Sequence, residues 1–235
     1  MATKASQRWG IMIVTIALVI GTLGSFMVMI WNQNDQSKLQ QEFSQAQAKL
    51  ADFQKQQQDL QNAQGDELSL KYYDQFSQYE SQPKAFDIDS VKSLSSEDLS
   101  VGNGTEINGT TKFAVYYIGW DANGHVFDQS VDTANKKLKP SLPISSGLDS
   151  ASLVKGWITG LKGMHIGGVR LLSIPSDQAY GEAGQKDSSG QVIIAPNMPL
   201  KFIVMAVDLP APIPQPAGYQ DALDQYTKVY GELNK

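Results

Sequence analysis

The sequence predicts an α+β domain, an antiparallel sheet with one short helix packed across it, preceded by a transmembrane helix and a helical stalk. Three observations predict it. Short apolar runs with period-two alternation, separated by Gly, Asn and Pro, follow Phe86. Within them, Leu153, Trp157 and Leu161 recur every four residues over one brief segment. Ahead of them stand a charge-free stretch and a glutamine-rich pattern of helical period.

The charge-free stretch is Ile11 to Trp31, bracketed by Trp9 and Trp31. As a helix at ~1.5 Å per residue the stretch from Trp9 to Trp31 extends roughly 33 Å, enough to cross a hydrocarbon core of ~30 Å. Tryptophans at both ends suit the interfacial belts. Lys4 and Arg8 precede the span, while Asp35 and Lys38 follow it. The positive-inside rule therefore expects a cytoplasmic 1–8, an anchor over 9–31, and everything after it extracytoplasmic: a single-pass cell-membrane protein. A cleaved signal peptide is the competing reading. The run is longer than a normal h-region and no A-x-A-like site closes it. Gly21 and Ser25 form a small-xxx-small pair of the kind that brings two such helices together.

Residues 32–85 read as a helical, coiled-coil-like stalk and linker. Leu39, Phe43, Ala46, Leu50, Phe53, Gln57 and Leu60 alternate in steps of four and three, a heptad seam with one polar interruption. Two uses of the seam stand open: a homodimer through residues 39–60, or a single helix laid on its own domain or the bilayer. Gly65 is expected to end the pattern. A second amphipathic stretch, Leu68, Tyr72, Phe76 and Tyr79, then runs to Gln82-Pro83.

The globular domain is expected over 86–209. Phe113, Val115 and Tyr117 alternate with Lys112, Ala114 and Tyr116 as a strand. Asp121-Ala-Asn-Gly124 is a turn leading to Val126-Phe127, which makes a hairpin. Val169 to Ile174 is another strand. Leu200 to Asp208 is a third, with Leu200, Phe202, Val204 and Ala206 on one face. A connector with Pro210, Pro212, Pro214 and Pro216 leads to a last amphipathic helix, in 210–235. It carries Tyr219, Ala222, Leu223, Tyr226, Val229, Tyr230 and Leu233, and is expected to dock on its own sheet or on the stalk.

Composition excludes several function classes. The chain of 235 residues has a net charge of -5 and no basic stripe, which argues against nucleic acid as a partner. With no cysteine, disulfides, zinc–thiolate sites and thiol nucleophiles are ruled out. The two histidines, His125 and His165, lack ligand-like neighbours at metal spacing. No G-x-S-x-G, H-E-x-x-H or Walker sequence occurs, and the glycine cluster Gly160 to Gly168 lacks the Lys-Ser/Thr of a phosphate cradle. The sequons at Asn103 and Asn108 matter only in a glycosylating secretory pathway. On these grounds alone the domain reads as an aromatic-rich binding module, with Tyr117, Phe127, Trp157, Tyr180 and Phe202 as core residues.

Ordered motifs add a resemblance. Val115-Tyr-Tyr-Ile-Gly119 and Asn123-Gly-His-Val-Phe-Asp-Gln-Ser130 come first, after the lead-in Leu99-Ser-Val-Gly-Asn-Gly104. Val154-Lys-Gly-Trp157, Gly160-Leu-Lys-Gly-Met164, Ile174-Pro-Ser-Asp-Gln-Ala-Tyr-Gly181, Ile193-Ile-Ala-Pro-Asn197 and Leu200-Lys-Phe202 follow. Over about 110 residues this order resembles the FKBP family of peptidyl-prolyl cis-trans isomerases. The resemblance implies a curved antiparallel sheet wrapped around one short helix. It also implies catalysis of X-Pro isomerisation by a desolvated aromatic pocket, with no cofactor and no metal. Trp157 would form the floor, with Tyr117, Phe127, Val154, Tyr180 and Phe202 as walls and Asp128 as the charged group at the rim. Leu153, Ile193, Ile194 and Leu142 would contact substrate, the Ile194 N–H and the Tyr180 hydroxyl holding its carbonyls. Proline-containing polypeptides would be substrates, and macrolides the pocket inhibitors.

The sequence departs from that pattern in three places. Lys139-Pro-Ser-Leu-Pro-Ile144 offers no aromatic wall, which leaves Leu142 or Ile144 to substitute. Residues Gln185 to Gln191 form a longer polar loop, and Ala195 stands where a proline is usual. Two function classes follow: an isomerase that helps proteins fold outside the cytoplasm, or a scaffold that holds Pro-containing segments with little turnover. A third reading makes the stalk the functional part and the domain a spacer.

Overall fold

The computed structural model describes residues 35–234. The expected anchor at 9–31 and its Gly21/Ser25 pair lie outside the described residues. Among those described, no helix is long and apolar enough to cross a membrane. The chain divides into two compact units, one holding residues up to Ala63 together with Pro212 onward, the other Gln64–Ala211.

Helix α1 runs Asp35–Ser77 without a break, so the expected stop at Gly65 is corrected. A glycine inside a helix costs about 1 kcal/mol relative to alanine. Burial of apolar side chains on both sides of Gly65 outweighs that. In the first unit Ala46, Leu50 and Phe53 are buried with Ala222 and Tyr226 of α3 (Tyr219–Leu233). Phe43 stacks on Tyr226 at 5.1 Å and Phe53 meets Tyr219 at 6.0 Å, so the two helices run antiparallel. From Phe43 to Phe53 the heptad seam is thus covered by the chain's own C-terminal helix, which is neither of the two uses left open above. Gln57, the polar interruption, donates through Nε2 to the Pro214 carbonyl at 2.6 Å, and Leu60 beyond it is 48 % exposed.

The second unit is built on strands β1 (Ser95–Ser100), β2 (Phe113–Asp121), β3 (Val126–Gln129), β6 (Leu142–Ile144), β7 (Val169–Ile174) and β10 (Leu200–Val207). They form one antiparallel sheet in the order β1-β7-β10-β2-β3, with β6 also pairing β2. Between β3 and β6 lies a small hairpin, β4 (Val131–Asp132) with β5 (Lys137–Leu138). A second small hairpin pairs β8 (Gln185–Lys186) with β9 (Val192–Ile194). The single short helix is α2 (Lys155–Gly160).

Pleat alternation sorts the sheet into two apolar faces. Phe113, Val115, Leu172, Ile174, Leu200, Phe202, Val204 and Ala206 join Trp157 and Leu161 from the α2 region in one core cluster. Ala114, Tyr116, Ile118, Val169, Ile203, Met205 and Val207 join Tyr72 and Phe76, from the last turns of α1, in the other. Because α1 covers the second face, β2 and β10 are apolar on both sides rather than half polar. Each large side chain so buried stabilises the unit by ~1.5–3 kcal/mol. Ser69 adds a directional tie, its buried Oγ accepting from the Leu138 N–H at 2.8 Å.

Candidate active site

The β2–β3 hairpin sets the first edge of the site. Asp121 Oδ1 accepts from the Asn123 and His125 N–H groups, and Gly124 turns the chain at φ +81°. That geometry pairs Gly119 with Asp128 and Ile118 with Gln129. Gly119 faces the aromatic cluster with no side chain of its own. A Cβ there would stand 2.6 Å from Phe202 Cε1 and 2.9 Å from Phe127 Cζ. The missing methyl is what lets those two rings meet edge to face at 5.6 Å.

Helix α2 brings in the floor. Its residues Gly156 and Gly160 lie against β7, where a Cβ would fall 2.3 Å from Ile174 Cγ2 and 2.8 Å from Leu172 Cδ2. Two glycines one turn apart therefore let the helix sit close on the sheet. Trp157, between them in sequence, is buried and meets Tyr117 at 5.4 Å and Phe202 at 5.3 Å, both edge to face. Such pairs add ~0.5–1.5 kcal/mol beyond area burial.

Leu142, Leu153, Val154, Tyr180 and Ile193 are half-buried and pack against this same cluster, while Ile194 is buried within it. The structure thus brings together every apolar residue singled out from the sequence. Asp128 is exposed and joins through Tyr117, whose hydroxyl donates to Oδ2 at 2.5 Å. Burial first, then this carboxylate, pushes the Tyr117 pKa far up. Burial and the nearby Asp128 also raise that of Tyr180. Both hydroxyls are accordingly protonated donors at neutral pH.

Two features escaped the sequence reading. The expected polar loop is a short ordered hairpin. Asp187 Oδ1 accepts from the Ser189 N–H, the Ser189 hydroxyl and the Gln191 N–H, and Gly190 turns at φ +89°. Its Asp-x-Ser-Gly spacing was the available signal. Gly119 reads from sequence as an ordinary strand glycine, since its service to two rings distant in the chain has no local signature. A separate concavity of about 220 Å³, lined by Phe86, Leu99, Trp120, Leu171, Lys201 and Ile203 among others, opens on the other face of the sheet. Its buried floor belongs to the second cluster, away from Trp157. Among the described residues no group of His, Asp and Glu is arranged to hold a metal ion.

Chemically, the cluster presents an apolar surface with a tryptophan at its base and two protonated phenols beside one carboxylate. A family model described as FKBP-type peptidyl-prolyl cis-trans isomerase matches residues 103–207. The FK506-binding protein of Neisseria meningitidis serogroup A is 39 % identical over 92 residues, covering 39 % of this chain and 78 % of that protein. FK506-binding protein 4 of Dictyostelium discoideum is 37 % identical over 114 residues, 48 % of this chain but only 28 % of its own length. Among solved structures, a peptidyl-prolyl cis-trans isomerase from Pseudomonas syringae pv. tomato is 27 % identical with a TM-score of 0.40, covering 62 % of this chain and 96 % of that one. The domain of this chain belongs to the FKBP-type peptidyl-prolyl cis-trans isomerase family.

Proposed function

We propose that the chain accelerates X-Pro isomerisation in polypeptides emerging outside the cytoplasm, bound to the cell membrane by residues 9–31. The observation that carries the catalytic reading is the edge-to-face contact of buried Trp157 with both Tyr117 and Phe202. Turning a prolyl bond destroys amide resonance, a barrier of ~18–20 kcal/mol. The twisted amide has less charge separation than the planar one, so a surface that excludes water disfavours the ground state more. In this mechanism the proline ring rests on Trp157 between Tyr117, Phe127 and Phe202. The Tyr180 hydroxyl and the Ile194 N–H hold substrate carbonyls, and Leu142, Leu153, Val154 and Ile193 exclude water. Asp128 orients the Tyr117 hydroxyl. Macrolides of the FK506 type would compete for the same surface.

The location rests on hydropathy, tryptophan placement and charge bias around Ile11–Trp31. Line-shape NMR of an Ala-Leu-Pro-Phe peptide with the full chain in detergent micelles tests the activity. Catalysed exchange, suppressed by a macrolide, is expected. Its absence with folded protein would leave a module that holds Pro-containing segments without turnover, a reading supported by the aliphatic Leu142 at the expected aromatic wall.

A further inference from the structure

Arg170 lies on β7 with its side chain only 8 % exposed, on the same pleat face as Leu172 and Ile174. A buried guanidinium needs partners for its donors. Here Nε and Nη2 donate to Asp98 Oδ1 and Oδ2 at 2.6 and 3.0 Å. Nη1 donates to the Gly160 and Lys162 carbonyls at 2.9 and 3.0 Å. Asp98 stands directly opposite Arg170 in the β1–β7 register, so one planar fork joins the edge strand to the end of α2.

That helix end requires such a clamp. Six residues are too few for a helix to hold itself. Its N-cap Val154 makes no side-chain cap, and no basic residue occupies its last turn. The capping residue Leu161 donates its N–H back to the Trp157 carbonyl at 3.0 Å, which links the clamped end to the floor of the site. Beyond it, Lys162 Nζ pairs with Asp149 at 2.7 Å. Gly156 and Gly160 lie flat against Ile174 and Leu172 of β7, so at these two positions no α2 side chain fixes where the helix sits along the strand. Directional hydrogen bonds at the C-terminal end fix what those contacts leave free.

We propose that Arg170, held by Asp98, is the positioning residue of the site: it sets the depth and tilt of Trp157 by fixing the end of α2, without touching substrate. Its catalytic consequence rests on the isomerase reading above. Four of its five N–H groups are used in fixed directions, which a lysine cannot reproduce.

The test uses the full chain in micelles, labelled with 5-fluorotryptophan, as wild type, Arg170→Lys, Arg170→Met and Asp98→Asn. The chain's four tryptophans give separable ¹⁹F resonances, and Trp157→Phe identifies the one of interest. In folded Arg170 variants the Trp157 resonance is expected to shift and broaden while that of Trp120 stays in place. Catalytic efficiency should fall on the order of tenfold, within the ~100-fold that a 1 Å misplacement can cost. Lysine should recover little of it. A Trp157 resonance at its wild-type position in a folded Arg170 variant overturns the proposal, whatever the melting temperature does. Should neither Arg170 variant fold, Asp98→Asn decides by the same criterion. A wild-type chain that catalyses nothing overturns the isomerase reading instead, and the ¹⁹F signature still decides the positioning.

Discussion

Across the β2–β3 hairpin, the Tyr117 hydroxyl donates a 2.5 Å hydrogen bond to Asp128 Oδ2. The phenol ring is half-buried against Trp157, whereas the carboxylate is exposed. Water can therefore satisfy Asp128 if the hydroxyl is removed, but the rim of the site then loses the bond that ties its carboxylate to the Tyr117 ring. Tyr117→Phe is expected to change stability by less than ~1.5 kcal/mol, the worth of an ordinary hydrogen bond. It should nevertheless lower catalytic efficiency several-fold. Urea unfolding and peptide exchange on the same preparation separate the two effects, and a large stability loss would contradict this account.

Alkaline pH probes the same region. Burial pushes the Tyr116 pKa to about 12, with Tyr72 adding to it. Tyr117 and Tyr180 are raised as well, both mainly by burial. In the unfolded chain these phenols ionise near their ordinary value of ~10. Below that pH both states are protonated and stability is unaffected. Above it the unfolded state loses protons that the folded state keeps, so stability falls as pH rises. For Tyr116 the loss spans pH 10 to about 12. Absorbance at 295 nm should show these three tyrosines ionising only with the unfolding transition, and Tyr116→Phe should move that transition to higher pH.

Gly119 carries a prediction from packing alone. An alanine methyl at 2.6 Å from Phe202 must displace a buried ring that also contacts Trp157. Overpacking of this kind costs ~1–3 kcal/mol. Gly119→Ala should reduce activity more than Tyr117→Phe does, because it moves two walls and the floor together. Thermal unfolding and peptide exchange check it. Activity equal to wild type would mean that the rings are not held as described.

Much of the second unit was legible because period-two patterning is local. Val169–Ile174 and the Leu200 strand follow directly from alternation, and the β2–β3 turn from Asn123-Gly124. The site was legible only through the order of its motifs, since its apolar side chains carry no catalytic-residue signature of their own. Arg170 was invisible because its partners lie 72 and 8 to 10 residues away and no pattern links them. Gly65 misled for the opposite reason. A local helix-breaking signal was overridden by apolar contacts made separately on either side of it, which only the packed structure reveals.

Those contacts give the final prediction. Phe43, Ala46, Leu50 and Phe53 form a stripe whose cover is α3, through Tyr219, Ala222 and Tyr226. Burying one such side chain is worth ~1.5–3 kcal/mol, so exposing the stripe is costly. Heptad spacing also makes it complementary to a second copy of itself. The intact chain is therefore expected to sediment as a monomer, and deleting residues 218–235 to make it self-associate with rising concentration. Adding Phe43→Ser and Leu50→Ser to the truncated chain should restore the monomer. Both proteins can be compared by sedimentation velocity in the same detergent, where Trp9 and Trp31 and the segment between them are common to each. Self-association of the intact chain to the same degree would show that the seam has a second use besides holding α3.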